Sequence, residues 1–252
     1  MVSLSDFQQR SKNSEFTLHL NFIGQAEYHL NYLIKGINYD LYKYFFWGLF
    51  KMTQSEQNFP KIAGIILAAG AASRMGQPKL LLPWKGETLI HKTVRTALDA
   101  LLDPVVIVTG AGAQEITNIV KELPVSIAHN PDWQTGQSTS VRAGIQALPA
   151  STQAVIFLLG DQPFVTADLI KELVKTYLQN HSVILAPFIG EQRANPVIFD
   201  RLIFDELCQL EGDVGARSIF KKYPPEAMPW SDERILFDID TPADYEKLTE
   251  KE

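Results

Sequence analysis

The chain has 252 residues, a net charge of -6 and a single cysteine, Cys208. The acidic balance argues against a nucleic-acid-binding surface, which is normally basic. One cysteine excludes an internal disulfide and a cysteine zinc cluster and fits a reducing cytoplasm, and the length suits one large α/β domain or two small ones.

Residues 1–51 hold twelve of the 26 aromatic residues. No basic segment there leads into an apolar core with a small-residue cleavage site, so no signal peptide is read. The strongest apolar run, Tyr44 to Phe50, is far short of the ~20 residues of a membrane helix; an interfacial anchor is one reading of it. The other takes Met52, followed by the polar lead Thr53 to Asn58, as an alternative start. Residues 1–59 are accordingly expected to be an extension, non-native or poorly ordered, and residues 60–252 the functional domain.

From Lys61 onward, short apolar runs alternate with helical patterns. Ile62 to Leu67 reads as a buried strand. Thr88 to Leu101 carries apolar residues at a 3.6-residue period. Val105 to Val108 is the next strand, followed by a helix through about Lys121 and a strand Val125 to Ala128. Gln137 to Leu148 is helical, Val155 to Leu159 an unbroken apolar strand, and Val165 to Leu178 a helix. This order predicts a three-layer α/β/α fold with a mostly parallel, Rossmann-like sheet and right-handed crossovers. Val183 to Phe188 and Pro196 to Phe199 then read as a small antiparallel hairpin. The Gly212 to Arg217 loop opens another helix. Leu236 to Asp240 is expected as a strand, turning through Thr241-Pro242 into a capped helix Ala243 to Leu248.

Chemistry concentrates in three loops. Gly70 and Gly76 let the first loop bend and approach a ligand closely, and Arg74 and Lys79 set two positive charges beside its amides, which suits a triphosphate. The spacing matches neither GxGxxG nor GxxxxGK[ST], so on residue types alone a surface turn is a competing reading. Asp161 follows an apolar strand in Gly160-Asp161-Gln162-Pro163, and Asp238-Ile239-Asp240 places two aspartates on one side of a strand. Magnesium needs one or two protein carboxylates plus substrate phosphates; Asp161 and Asp240 are the candidates, against roles in turns and helix caps. His129 is read as a strand-end residue rather than a general base, Trp84 and Trp133 as packing under loops, and Cys208 as a buried, inert thiol.

Taken together, LAAGAASRMGQPK (Leu67 to Lys79), LPW (Leu82 to Trp84), HNPDW (His129 to Trp133), GQSTSVRAG (Gly136 to Gly144), GDQP and DIDTPADY (Asp238 to Tyr245) resemble the cytidylyltransferases of molybdenum cofactor maturation, within the molybdopterin guanylyltransferase-like nucleotidyltransferases. The resemblance runs from Lys61 to Leu248. It implies a nucleotide-diphospho-sugar transferase type of fold and transfer of CMP from CTP to the terminal phosphate of molybdopterin or Mo-molybdopterin, with release of pyrophosphate. It implies that Leu67, Ala68, Ala69, Gly70, Ser73 and Gly76 wrap the triphosphate and that Arg74 and Lys79 neutralise it. Asp161, with Asp240, would hold Mg2+ or Mn2+. Thr109, Gly110, Gly136, Ser138 and Ser140 would border base and ribose. Pro163, Arg193, Asn195, Pro196, Asp213 and Arg217 would face the acceptor. A recipient molybdoenzyme or its chaperone is an implied partner; nucleic acid and membrane are not.

Two departures bear on substrate. Guanylyltransferase relatives carry LAGG where this chain has Leu67 to Gly70, so the Ala69 methyl is expected to favour the smaller pyrimidine. Relatives carry Gly-His-Pro or Gly-Asn-Pro where this chain has Ala194-Asn195-Pro196, so Ala194 is expected to add a methyl where the backbone comes unusually close or takes positive φ. Two rival functions stay open: a nucleotidyltransferase acting on a sugar phosphate or another phosphorylated small molecule, and a non-enzymatic molybdenum cofactor carrier.

Overall fold

The computed structural model describes residues 15–21, 27–33, 60–70 and 75–250. The chain divides into two units, Met1–Asn58 and Phe59–Glu252. In the first, β1 (Glu15–Asn21) and β2 (Glu27–Leu33) pair antiparallel, from Glu15 opposite Leu33 to Asn21 opposite Glu27.

The second unit opens with β3 (Lys61–Ala68). A two-residue ladder, β4 (Pro83–Trp84) with β5 (Glu87–Thr88), precedes α1 (Leu89–Asp99). Then come β6 (Val105–Thr109), α2 (Ala113–Val120), β7 (Ser126–His129), α3 (Gln137–Gln146), β8 (Thr152–Leu159) and α4 (Ala167–Asn180). β9 (Ile184–Ile189), β10 (Gln192–Arg193), β11 (Val197–Asp200), α5 (Phe204–Cys208), β12 (Glu226–Pro229) and α6 (Pro242–Thr249) complete it. The sheet order is β10-β9-β11-β8-β3-β6-β7, with β12 beside β9. β3 is parallel to both β6 and β8, and β6 to β7. β11 runs antiparallel between β8 and β9.

Both faces of the central strands β3, β6 and β8 are buried, which is why they read as unbroken apolar runs. Ala63 and Ile65 of β3, Val106 and Val108 of β6, and Val155 and Phe157 of β8 share one cluster with Val141 and Ile145 of α3. The alternate residues of β3 turn to the other face, where Gly64 lies against Ala97 and Leu102 at the end of α1. The alternation of side chains along each strand thus splits a continuous hydrophobic run between two helical layers.

Three local expectations are corrected. Phe237 to Asp240 is not a strand. A 3-10 turn, Glu233–Leu236, capped by the Asp232 side chain, uses up the preceding residues, and the backbone of Ile239 bonds to Asp161 and Lys79 instead of a sheet neighbour. The segment after Gly215 is a 3-10 helix, Ala216–Lys221, rather than a regular α-helix. β12 was not expected; it adds parallel to β9, Glu226 opposite Leu185 through Pro229 opposite Phe188. The start of α6 is as read, with Thr241 and Asp244 forming a capping box and Pro242 at the first helical turn.

Ile65 is completely buried at the centre of the sheet. Ile65→Ala is expected to cost about 2–5 kcal/mol of stability, read from the chemical denaturation midpoint. A loss under about 1 kcal/mol would contradict the packing described.

Candidate active site

β3 connects to neighbours on both sides, so the strand order switches direction around it. In open α/β sheets ligands lie at the carboxyl ends of the strands at such a switch. A cleft of about 660 Å³ opens there. Leu67 to Gly70 at the end of β3, Ala111 and Gly112 after β6, and Leu159 to Asp161 at the end of β8 form its floor.

Lys79 enters this cleft from a 3-10 turn, Lys79–Leu81, that starts at Pro78. Leu80 lies so close to Gly160 that a Cβ there would stand 2.7 Å from Leu80 Cδ2. The glycine lets the two loops touch, and their contact brings the lysine to the neighbouring aspartate. The Lys79 ammonium donates to Asp161 Oδ2 at 2.5 Å, to Asp240 Oδ1 at 3.1 Å and to the Ile239 carbonyl at 3.1 Å. The Ile239 amide in turn donates to the Asp161 carbonyl at 3.0 Å. The Ile239 side chain is fully buried with Met75, Leu82, Trp84, Leu89 and Leu248, and the Tyr245 hydroxyl donates to the Pro83 carbonyl at 2.6 Å. The C-terminal segment is thereby anchored to the loop that carries Lys79.

Among the described residues, three carboxylates gather round the Lys79 ammonium. Burial alone would lower the proton affinity of Lys79; the charges and hydrogen bonds of Asp161 and Asp240 outweigh it and raise the pKa above the ordinary lysine value. Asp238 stands behind, accepting from Gln162 Nε2 at 2.6 Å. Burial pushes its carboxyl up, the Gln162 hydrogen bond opposes this, and the neighbouring Asp161 and Asp240 add to it. Asp161 Oδ1 is buried and, among the described residues, accepts no hydrogen bond. A buried carboxylate oxygen left without a donor is costly, and a cation is one group that would satisfy it. Among the described residues no cluster of three or more His, Cys, Asp or Glu is arranged to hold a metal. Asp161 and Asp240 have the chemistry to give one or two carboxylates to a hard cation whose other oxygens come from phosphate and water.

The opposite wall is the start of α3. Gly136 has φ of 129° and lies against the Gly212 carbonyl, which a Cβ would meet at 2.3 Å; only glycine fits. Ser138 donates through its hydroxyl to that carbonyl at 2.7 Å. The Gln137 amide donates to Asp213 Oδ1 at 3.3 Å. Asn130 donates to the hydroxyls of Thr139 and Ser140 at 2.8 and 2.9 Å. Trp133 rests on Gly110 and lines the cleft.

The structure brings Leu67, Ala68, Ala69, Gly70, Lys79, Gly136, Ser140, Asp161, Asp213 and Asp240 to this cleft. Ser73 and Arg74 lie outside the described residues. Gly76 is exposed, and Thr109, Gly110 and Ser138 support the walls from behind; none of the four lines the cleft. Pro163 and Pro196 are buried. Asp213, expected toward the acceptor, turns its carboxylate to the start of α3. Ala194 is buried and does not have positive φ, so its methyl brings no backbone strain. His129 is exposed and does not line the cleft. Gln137 and Leu159 were not singled out by sequence; Gln137 follows the glycine that opens α3, which was the available signal.

A second cavity of about 220 Å³ adjoins the first and holds Arg193, Asn195, Arg217 and Phe220. Leu67, Gln137 and Leu159 line both.

Because the pKa of Lys79 is raised by folding, its contribution to stability is complete below the ordinary lysine range and is lost as pH climbs through the raised value. Lys79→Met should therefore be less stable than the parent at about pH 7, where the neighbouring aspartates lose one cation, and should recover part of the deficit at about pH 4, where Asp238, held up by burial, has taken up a proton. Urea midpoints at the two pH values check this; an equal deficit at both would contradict it.

Comparison with known proteins agrees with this geometry. Residues 64–227 match the MobA-like NTP transferase domain. The chain is 30% identical over 189 residues to the molybdenum cofactor cytidylyltransferase of Escherichia coli K12, covering 75% of this chain and 94% of that one. It is 30% identical over 196 residues to the nicotine blue oxidoreductase of Paenarthrobacter nicotinovorans, covering 74% and 95%. The crystal structure of Rv0371c from Mycobacterium tuberculosis H37Rv superposes with a TM-score of 0.68 at 25% identity, covering 76% and 98%. The fold is that of the nucleotide-diphospho-sugar transferases, and the chain belongs to the MobA-like nucleotidyltransferase family.

Proposed function

We propose that the chain transfers CMP from CTP to the terminal phosphate of molybdopterin or Mo-molybdopterin. The observation that carries the transfer is the meeting of Lys79, Asp161 and Asp240 in a nucleotide-sized cleft at the sheet's switch point. The likeness to a cytidylyltransferase supports the choice of nucleotide and acceptor.

One oxygen of the acceptor phosphate forms a bond to the α-phosphorus of CTP. The bond from that phosphorus to the bridging oxygen breaks, and its electron pair leaves with pyrophosphate. A phosphate monoester is largely ionised at neutral pH, so no residue need remove a proton. Catalysis then rests on alignment and charge. The amide of the exposed Gly70 takes phosphate oxygens, and Lys79 offsets negative charge on the leaving group. Mg2+, or Mn2+ in its place, would be held by Asp161 and Asp240 and would neutralise phosphate oxygens. Ala111, Gly112, Trp133 and Gly136 border the base and ribose. Ala69 is buried, with its carbonyl accepting from the Ala111 amide at 3.1 Å. This ties the end of β3 to the loop after β6, and the Ala69 methyl is the feature taken to favour the smaller pyrimidine.

Among the described residues no helix is long and apolar enough to cross a membrane.

Pyrophosphate release with a panel of nucleoside triphosphates and purified molybdopterin tests the proposal. CTP should be the preferred substrate, and Asp161→Asn should lower turnover by about 10²–10³-fold with the denaturation midpoint still measurable. Comparable rates with GTP would remove the base assignment. Near-parent rates in Asp161→Asn would remove its role at the phosphates.

A further inference from the structure

Asp213 lines the larger cleft and not the cavity that holds Arg193 and Arg217. Its carboxylate therefore faces the space assigned to the nucleoside triphosphate, yet the transfer step gives it no task. Its Oδ1 accepts from the Gln137 amide at 3.3 Å. Among the described residues its second oxygen accepts no hydrogen bond, and the group has no cation partner. The side chain is exposed, so that oxygen is open to a ligand in the cleft.

Its place decides what such a carboxylate can meet. α3 has ten residues, and the start of a helix of that length ordinarily attracts phosphate. Here the chain fills that place itself. Gly136 caps the helix without a side chain. The Gly212 carbonyl accepts from the Ser138 amide at 3.4 Å and from the Ser138 hydroxyl at 2.7 Å, and Asp213 takes the Gln137 amide. A phosphate arriving at this wall would meet amides already used and a like charge. Phosphate is thus directed to Lys79, and the group that meets Asp213 is a neutral O–H or N–H donor.

A nucleoside carries two such donors, the hydroxyls of its ribose and the exocyclic amine of its base. With the phosphates at Lys79 and the base against Ala69 and Ala111, the ribose spans the interval between them and lies before the start of α3. A hydroxyl that donates to a carboxylate makes a charge-assisted bond, stronger than a neutral one. Dinucleotide-binding folds hold ribose with a carboxylate by the same chemistry.

We propose that Asp213 is the ribose-recognition residue of the cleft: its second oxygen accepts from a ribose hydroxyl and selects ribonucleoside over deoxyribonucleoside triphosphates. This rests on the nucleotidyltransferase reading and is independent of which base is preferred.

The test is equilibrium binding of the full chain, with Mg2+, to CTP, UTP, GTP and ATP, and to the 2′-deoxy and 3′-deoxy forms of the one that binds tightest. The parent should bind that ribonucleotide about tenfold or more tighter than at least one of its deoxy forms. Asp213→Asn keeps an oxygen for the Gln137 amide and loses the charge. It should weaken the ribonucleotide about tenfold and leave the deoxy form within about twofold, so that most of the preference goes. Retained deoxynucleotide binding shows that the variant is folded, and Asp213→Ser carries the test should Asp213→Asn fail to fold. No ribose preference in the parent, or a preference that survives in Asp213→Asn, would overturn the proposal and leave the nucleotidyltransferase reading standing. An equal fall for both forms would also overturn it, as the mark of a residue that only holds the start of α3. A changed choice between CTP and UTP with the ribose preference intact would give the carboxylate to the base instead. Failure of every triphosphate to bind the parent would overturn both readings.

Discussion

Three distant parts of the chain meet at one ammonium group. Lys79 bonds to Asp161, 82 residues away, and to Asp240, 161 residues away. The Ile239 backbone closes the knot, giving its amide to Asp161 and its carbonyl to Lys79. Asp161, Asp238 and Asp240 crowd one site, and the Lys79 cation offsets part of their mutual repulsion. The knot also fixes where the C-terminal segment lies, and so it joins the closing of the fold to the shaping of the cleft.

The rest of the site is arranged around this point by close contacts. Leu80 on Gly160 sets the Lys79 turn against the end of β8, and Gly136 on Gly212 sets α3 against the loop that leads to Arg217. The first contact places the Lys79 charge inside the cleft. The second separates that cleft from the arginine-bearing cavity, with Gln137 at the boundary. One sheet edge thereby carries two adjoining spaces of different chemistry, which suits a reaction that joins two phosphate-bearing molecules.

Much of the fold was legible because its signals are local. The apolar runs of β3, β6 and β8 and the 3.6-residue period of α1 depend on neighbours in sequence, and Thr241-Pro242 marks a helix start by its own chemistry. What was not legible depends on distant partners. Leu236 to Asp240 alternates like a strand, yet its backbone bonds went to Asp161 and Lys79. β12 has few residues and little pattern of its own; it is defined by pairing with β9. At the site, the glycines and Asp161 were visible as loop chemistry, whereas the turn of Asp213 toward α3 and the place of Gln137 between two cavities follow from how the Gly212 loop packs.

The most direct measurement of the central claim follows the α-phosphorus itself. With CTP labelled at that position, molybdopterin and a divalent metal, the account predicts that the label moves into a dinucleotide containing the acceptor, in step with unlabelled pyrophosphate. Label that stays in CTP while molybdopterin is bound would contradict it and leave a carrier in place of an enzyme.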